Sequence, residues 1–95
     1  MVAGPWDAEL LEFDDDNTEH FAGHNVSASE ILAVFDNDPL WAANKKGRSG
    51  THLMIGRSNG NRPLVIAVVY DDARRVLRPI TARTCTLAEV NKWNV

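Results

Sequence analysis

The sequence predicts a single α+β domain in which two N-terminal helices, an antiparallel sheet of three or four strands and a C-terminal helix pack together. Three observations carry this prediction. Capping signals open helix-like segments before residue 40, strand-like runs fill residues 51–82, and another capping signal follows them. The 95 residues suit one domain, and a hydrophobic content of 44% is enough for its core.

The N-terminal third predicts two short helices after an ambiguous start. Residues 1–12 contain a Gly-Pro pair and no periodicity, so they form either a loose tail or a short edge strand. Acids at 14–16 and histidines at 20 and 24 match the signs of a helix macrodipole, and Asn25 suits the left-handed position that ends a helix. Ser27 and Glu30 have the spacing of a capping box, which predicts a second helix that Pro39 stops.

The remainder of the chain predicts the sheet and the last helix. Trp41 falls on a short strand, a basic loop follows, and runs at 51–58 and 63–70 flank the hairpin signal Asn59-Gly60. A further strand at 74–82 contains Pro79, which requires an edge, a bulge or a position without a ladder hydrogen bond. Thr86 and Glu89 repeat the capping box and open a helix that reaches residue 93.

Charge is divided along the chain. All ten Lys and Arg residues follow Asn44, whereas ten of the thirteen acids precede it, a division that the net charge of −3 hides. Because a local basic face can bind phosphate whatever charge the rest carries, a nucleic-acid partner stays open.

Several classes of protein are not expected. One cysteine allows no intrachain disulfide and no cysteine-based zinc site. His20 and His24 share one helix face but lack a third metal ligand of suitable spacing, so we expect no metal and no cofactor. Without a signal peptide pattern or a long apolar stretch, the sequence predicts a cytoplasmic protein with no membrane association.

Two groups of residues resemble the BrnT-type toxins of bacterial toxin–antitoxin pairs. The first group comprises Phe13-Asp14-Asp15, Asn17, His20, His24, Val26-Ser27 and Glu30. The second comprises Ile55-Gly56-Arg57-Ser58, Arg62, Val68-Val69, Thr81-Ala82-Arg83, Thr86 and Glu89. In order and spacing they resemble the family's motifs over residues 13–93.

The resemblance implies a RelE-like fold and a type II toxin that cleaves mRNA and so inhibits translation and growth. It implies neutralisation by a cognate antitoxin, a ribbon-helix-helix or similar DNA-binding protein. Complexes with two antitoxin chains, including a heterotetramer, are the form that the resemblance suggests.

Metal-independent cleavage of RNA needs proton transfers at the 2′- and 5′-oxygens and stabilisation of a charged phosphorane. His or Glu suits the proton transfers, and Arg suits the phosphorane because its planar fork stays charged. Together with the resemblance, this chemistry predicts catalytic roles for His20, His24, Arg57, Arg83 and Glu89, and RNA or phosphate binding by Lys45, Lys46, Arg48, Arg62 and Arg78. We expect the site on the sheet face near the two histidines.

Structural interpretations of these residues stay open. The arginines also suit solvated strand edges, Glu89 suits its capping box, and Thr81 suits a cross-strand hydrogen bond. The final helix carries only Lys92, where family members often have an Arg-rich segment. An alternative function is therefore a non-catalytic RNA- or protein-binding module of the same fold.

Overall fold

The computed structural model describes residues 3–95. Within these residues the chain forms a short 3-10 helix, three α-helices and five strands. In chain order they are the 3-10 helix (Pro5–Asp7), β1 (Leu10–Leu11), α1 (Asp15–Ala22), α2 (Ala28–Asp36), β2 (Leu40–Ala43), β3 (His52–Arg57), β4 (Pro63–Asp71), β5 (Val76–Thr84) and α3 (Leu87–Trp93).

The strands form one mixed sheet in the order β1-β5-β4-β3-β2. Strands β2 to β5 are an antiparallel meander, and β1 pairs in parallel with β5, Leu10 opposite Val76. The α+β class is confirmed, but the predicted antiparallel sheet of three or four strands is wrong because β1 adds a parallel fifth strand. Of the two interpretations of residues 1–12, the edge strand is the one observed at Leu10–Leu11.

The helices cover both faces of the sheet. Phe21 of α1 and Ile31 of α2 belong to a buried cluster with alternate residues of the strands, such as Ile66. On the opposite face, Val90 and Trp93 of α3 pack against a second cluster of Ile55, Val65 and Cys85. At seven residues, α3 is about 10 Å long, whereas nine-residue β4 spans about 30 Å, so α3 covers only one end of its face.

Asn17 ties α1 to an irregularity in β5. Ala67 lies opposite Thr81 but Val68 opposite Pro79, so the intervening residue makes a bulge next to the proline. The buried Asn17 amide donates to the Pro79 carbonyl (3.0 Å) and the Glu12 carbonyl (2.9 Å). The prediction that Pro79 needs a bulge or a similar position is confirmed.

Positive backbone φ angles mark two of the turns. Asn25 has φ 58° after α1, as predicted. In the β3–β4 hairpin, however, the left-handed residue is Asn61 (φ 65°), and three residues lie between the hydrogen-bonded Ser58 and Arg62. The hairpin is confirmed, and its turn is longer than the two-residue Asn59-Gly60 signal indicates.

Gly50 is required where the β2–β3 loop returns to the sheet. Its φ is +76°, and a Cβ there would lie 2.9 Å from the Val68 backbone nitrogen and oxygen. Gly47, in the same loop, has φ +85° but open space around it.

We expect Gly50→Ala to lower the free energy of unfolding by about 2 kcal/mol and Gly47→Ala by about 1 kcal/mol, measured by urea denaturation. Equal losses of unfolding free energy in the two variants would show that contact between the added Cβ and the Val68 backbone is not destabilising.

Candidate functional site

The end of the sheet face that α3 leaves uncovered forms an open groove of about 490 Å³. Its floor is one transverse row of side chains on four neighbouring strands, namely Ala42, Leu53, Ala67 and Thr81. Three of the four are small, so the floor lies low between its walls. One wall is α3 and the other is the β2–β3 loop.

The β2–β3 loop supplies cationic side chains on a fixed backbone. The Asn44 side chain accepts from the Lys45 amide (2.9 Å) and donates to the Ser49 carbonyl (2.7 Å), while the Arg48 amide donates to the Lys45 carbonyl (3.1 Å). Lys45, Lys46 and Arg48 are exposed and form no salt bridge within residues 3–95. Their charges are therefore available to a ligand.

The opposite wall places a close ion pair at the groove. Arg83 Nη1 donates to Glu89 Oε1 (2.6 Å) and Nη2 donates to Oε2 (2.8 Å), while the Thr86 amide also donates to Oε1 (2.9 Å). The Arg83 guanidinium is the main reason that the pKa of Glu89 falls to about 2. A carboxylate with so low a pKa accepts a proton poorly near neutral pH, so orienting Arg83 suits Glu89 better than general base catalysis.

Three of the seven predicted Lys and Arg residues line the groove, and four, including the exposed Lys46 of the same loop, do not. Lys45, Arg48 and Arg83 line the groove, together with Lys92, whose Nζ lies 5.3 Å from the Trp93 ring centroid. Four cations therefore face one carboxylate, that of Glu89. The geometry thus brings together the residues of the basic loop and the end of β5.

The other predicted arginines bind carboxylates, a hydroxyl or backbone carbonyls of the protein itself. Arg62 contacts Glu30 (3.2 Å) and the Thr84 hydroxyl (2.8 Å). Arg78 contacts Asp14 (2.7 Å), and Arg57 donates to two backbone carbonyls. None of these three arginines lines the groove, because each reaches across to hold two parts of the chain together.

These contacts explain much of the divided charge. Four arginines of the basic half pair with acids of the acidic half, and the pairs are Arg62–Glu30, Arg74–Glu12, Arg75–Glu9 and Arg78 with Glu12 and Asp14. Five cations have no side-chain carboxylate partner within the described part of the chain. Lys45, Arg48 and Lys92 line the groove, whereas Lys46 and Arg57 do not.

The histidines lie away from this groove. His20 lies on α1, whereas His24 lies two residues beyond its last residue, Ala22, so the expectation that they share one helix face is wrong. Both are exposed, with ring centroids 6.1 Å apart, and α1 packs on the opposite sheet face from α3. The groove is therefore not on the face near the histidines, where we expected the site. Neither histidine lines it, and among residues 3–95 no cluster of three or more His, Cys, Asp or Glu side chains could hold a metal ion.

Thr81 is a groove residue that sequence reasoning did not select. It lies opposite Ala67, which has no polar side chain, and its hydroxyl makes no hydrogen bond with residues 3–95. The expected cross-strand hydrogen bond is therefore wrong. The signal that identifies Thr81 is a polar residue in an apolar strand, two positions before Arg83, which places both side chains on one face.

The sequence matches no protein-family model and no curated protein. The likeness to BrnT-type toxins consequently rests on the quoted motifs alone. Within residues 3–95 no helix has the length and apolar character needed to cross a membrane.

The Arg83–Glu89 pair predicts acid-sensitive stability. Because folding lowers the Glu89 pKa from 4.5 to about 2, its contribution is full above about pH 4.5 and is lost as the pH falls towards 2. Arg83 is half exposed, so solvent screening leaves about 1 kcal/mol near pH 7. The difference in unfolding free energy between wild type and Glu89→Gln should shrink towards zero on acidification, measured by urea titrations. A difference independent of pH would contradict this account.

Proposed function

We propose that the protein is the toxin of a type II toxin–antitoxin pair, an endoribonuclease that binds RNA in the groove on the α3 face and cuts it without a metal. The observation that carries the proposal is the set of cations around a low floor, in which Lys45 and Arg48 have no carboxylate partner among residues 3–95 and Arg83 is fixed by Glu89. The motif resemblance supplies the toxin assignment.

The shape and charge of the groove suit an RNA backbone. Lysine and arginine side chains on both walls can bind successive phosphates, which is the largest source of affinity for nucleic acids. A volume of about 490 Å³ falls within the range of small-ligand sites, and small floor residues leave room for a sugar or a base. We expect binding to weaken steeply with salt, since it depends on released counterions.

The chemistry can use the nucleophile that RNA itself carries. Hydroxide from solvent takes the proton of the 2′-hydroxyl, whose oxygen attacks the adjacent phosphorus to form a 2′,3′-cyclic phosphate. The bond to the 5′-oxygen breaks and water protonates that oxygen, while Arg83 stabilises the negative charge that develops on the phosphorane oxygens. Thr81 can hydrogen-bond a phosphate or the 2′-hydroxyl from the floor. Within residues 3–95 no histidine or cysteine lines the groove, so the cleavage rate should rise with pH through the neutral range without a bell-shaped profile.

A non-catalytic RNA-binding module is the second candidate. The low pKa of Glu89 and the position of both histidines on the other sheet face favour it, because the groove then lacks an efficient general base. This candidate predicts salt-dependent RNA binding with no cleavage products.

We propose a cognate antitoxin, of ribbon-helix-helix or similar type, as the protein partner. The acids of α1 that form no salt bridge within residues 3–95, Asp15, Asp16 and Glu19, give its outer surface a negative charge. A basic antitoxin segment suits this surface, in a heterotetramer or a related complex.

The proposal is tested by expressing the chain in bacteria and by incubating the purified protein with cellular RNA in EDTA. We expect growth arrest, and RNA fragments that form in the presence of the chelator. Co-expression of the neighbouring reading frame should restore growth. Intact RNA at equimolar protein, together with normal growth, would rule out the toxin and leave the binding module.

A further inference from the structure

We infer that Glu89 is a positioning residue, which grips one edge of the Arg83 guanidinium so that the other edge faces the groove as a fixed phosphate-binding fork. The inference rests on the proposed function, because it specifies how the site of that function is assembled. It assigns Glu89 a task different from the proton transfer for which the sequence selected it.

The hydrogen bonds of Arg83 define the two edges. Nη1 and Nη2 each donate to a different Glu89 oxygen, at 2.6 and 2.8 Å, and Nη1 also lies 3.4 Å from the Thr84 carbonyl. A guanidinium has five N–H groups. The Nε hydrogen and the second Nη2 hydrogen have no acceptor within residues 3–95, and these two lie side by side on the remaining edge. That edge has the geometry that binds two phosphate oxygens at once.

Glu89 is itself held firmly. Its Oε1 accepts from the Thr86 amide (2.9 Å), its own amide donates to the Thr86 hydroxyl (3.2 Å), and its side chain is only 20% exposed. Arg83 is 49% exposed, so the pair has a fixed end and an accessible end. An arginine with this anchor loses less freedom when it meets a phosphate than an unanchored one does.

A second pair in the fold provides a matched control. Glu30 caps α2 through Ser27, as Glu89 caps α3 through Thr86, and it contacts Arg62 at 3.2 Å. The Glu30 pair lies outside the groove. Glu30→Gln therefore reproduces the loss of a capping carboxylate and an ion pair without changing Arg83.

The experiment compares wild type, Glu89→Gln, Glu89→Asp and Glu30→Gln, each shown by thermal melting to be folded at the assay temperature. Cleavage is followed under single-turnover conditions, and affinity is measured with a non-cleavable 2′-deoxy oligonucleotide. We expect Glu89→Gln to slow cleavage about tenfold or more at every pH. Affinity should fall much less than the rate, because the negative charge that leaves the groove offsets the looser orientation of Arg83. Glu89→Asp should cleave faster than Glu89→Gln but more slowly than wild type. Glu30→Gln should keep the wild-type cleavage rate and affinity.

The Arg83 Nε–H resonance, observed by NMR in 15N-labelled protein, tests the inference even where cleavage is absent. Titration with inorganic phosphate should shift this resonance in wild type and Glu30→Gln at lower phosphate concentrations than in Glu89→Gln. Equal shifts in wild type and Glu89→Gln, a wild-type cleavage rate in Glu89→Gln, or parallel loss of rate and affinity would overturn the inference. Absence of cleavage by wild type would instead contradict the proposed function and leave the phosphate titration to judge the inference.

Discussion

Arg83→Ala is expected to slow RNA cleavage by about two orders of magnitude and to abolish growth arrest. Among residues 3–95, Arg83 is the one groove cation with a carboxylate that fixes its orientation, so it is the best placed to stabilise charge on a phosphorane. Its side chain is half exposed, so its removal should leave the fold intact. Single-turnover cleavage of a defined RNA, with a thermal melt of each protein, measures both effects.

Arg75→Asn is the matched control for Arg83→Ala. Arg75 lies in the β4–β5 turn, outside the groove, and contacts the exposed Glu9 at 3.3 Å. Asparagine tolerates its φ of 54°. The control removes one positive charge without changing the site, so cleavage should stay near the wild-type rate. Equal losses in the two variants would show that net charge, rather than the groove, drives cleavage.

Asn17→Ala is expected to lower the free energy of unfolding by about 3 kcal/mol. The change leaves the buried Pro79 carbonyl without its amide donor at the β5 bulge, and it removes the acceptor of the Asp14 amide at the start of α1. Buried backbone groups without partners keep the full cost of leaving water. Chemical denaturation monitored by circular dichroism measures the loss.

Asn37→Ala provides the comparison for Asn17→Ala. The Asn37 amide also makes two hydrogen bonds, to the Arg57 carbonyl and to Asn59, but it is exposed at the end of α2. Water can replace those partners, so we expect a loss below about 1 kcal/mol. If Asn17→Ala costs no more than Asn37→Ala, the bridge between α1 and β5 is not a main contributor to stability.

Local signals predicted most of the elements, whereas long-range pairing did not follow from them. The capping boxes at Ser27 and Thr86 start α2 and α3 where expected, because a cap depends only on residues three apart. Strand β1 has two residues and no periodicity, and its pairing with Val76 and Leu77 joins distant parts of the chain. Such a strand has no local signature.

The same limit explains the candidate site. Lys45 and Arg48 share one loop, and Arg83 and Glu89 are six residues apart, so each wall of the groove comes from one stretch of sequence. The four residues were selected from the sequence, but the contact between Arg83 and Glu89 was not predicted. The sheet face that each helix covers is set by packing of its apolar side chains, and that packing separates His20 and His24 from Arg83. Arg62 and Arg78 form salt bridges with Glu30 and Asp14, which lie far away in sequence. The spacing of a motif does not reveal such long-range pairs.

Binding of RNA in the groove on the α3 face can be mapped by backbone NMR. A non-cleavable 2′-deoxy oligonucleotide is titrated into 15N-labelled protein at low salt. We expect the largest amide shifts in the floor row and its walls, at Leu53, Ala67, Thr81 and residues 44–50. Shifts centred instead on His20 and His24, with the floor row unchanged, would contradict binding in the groove.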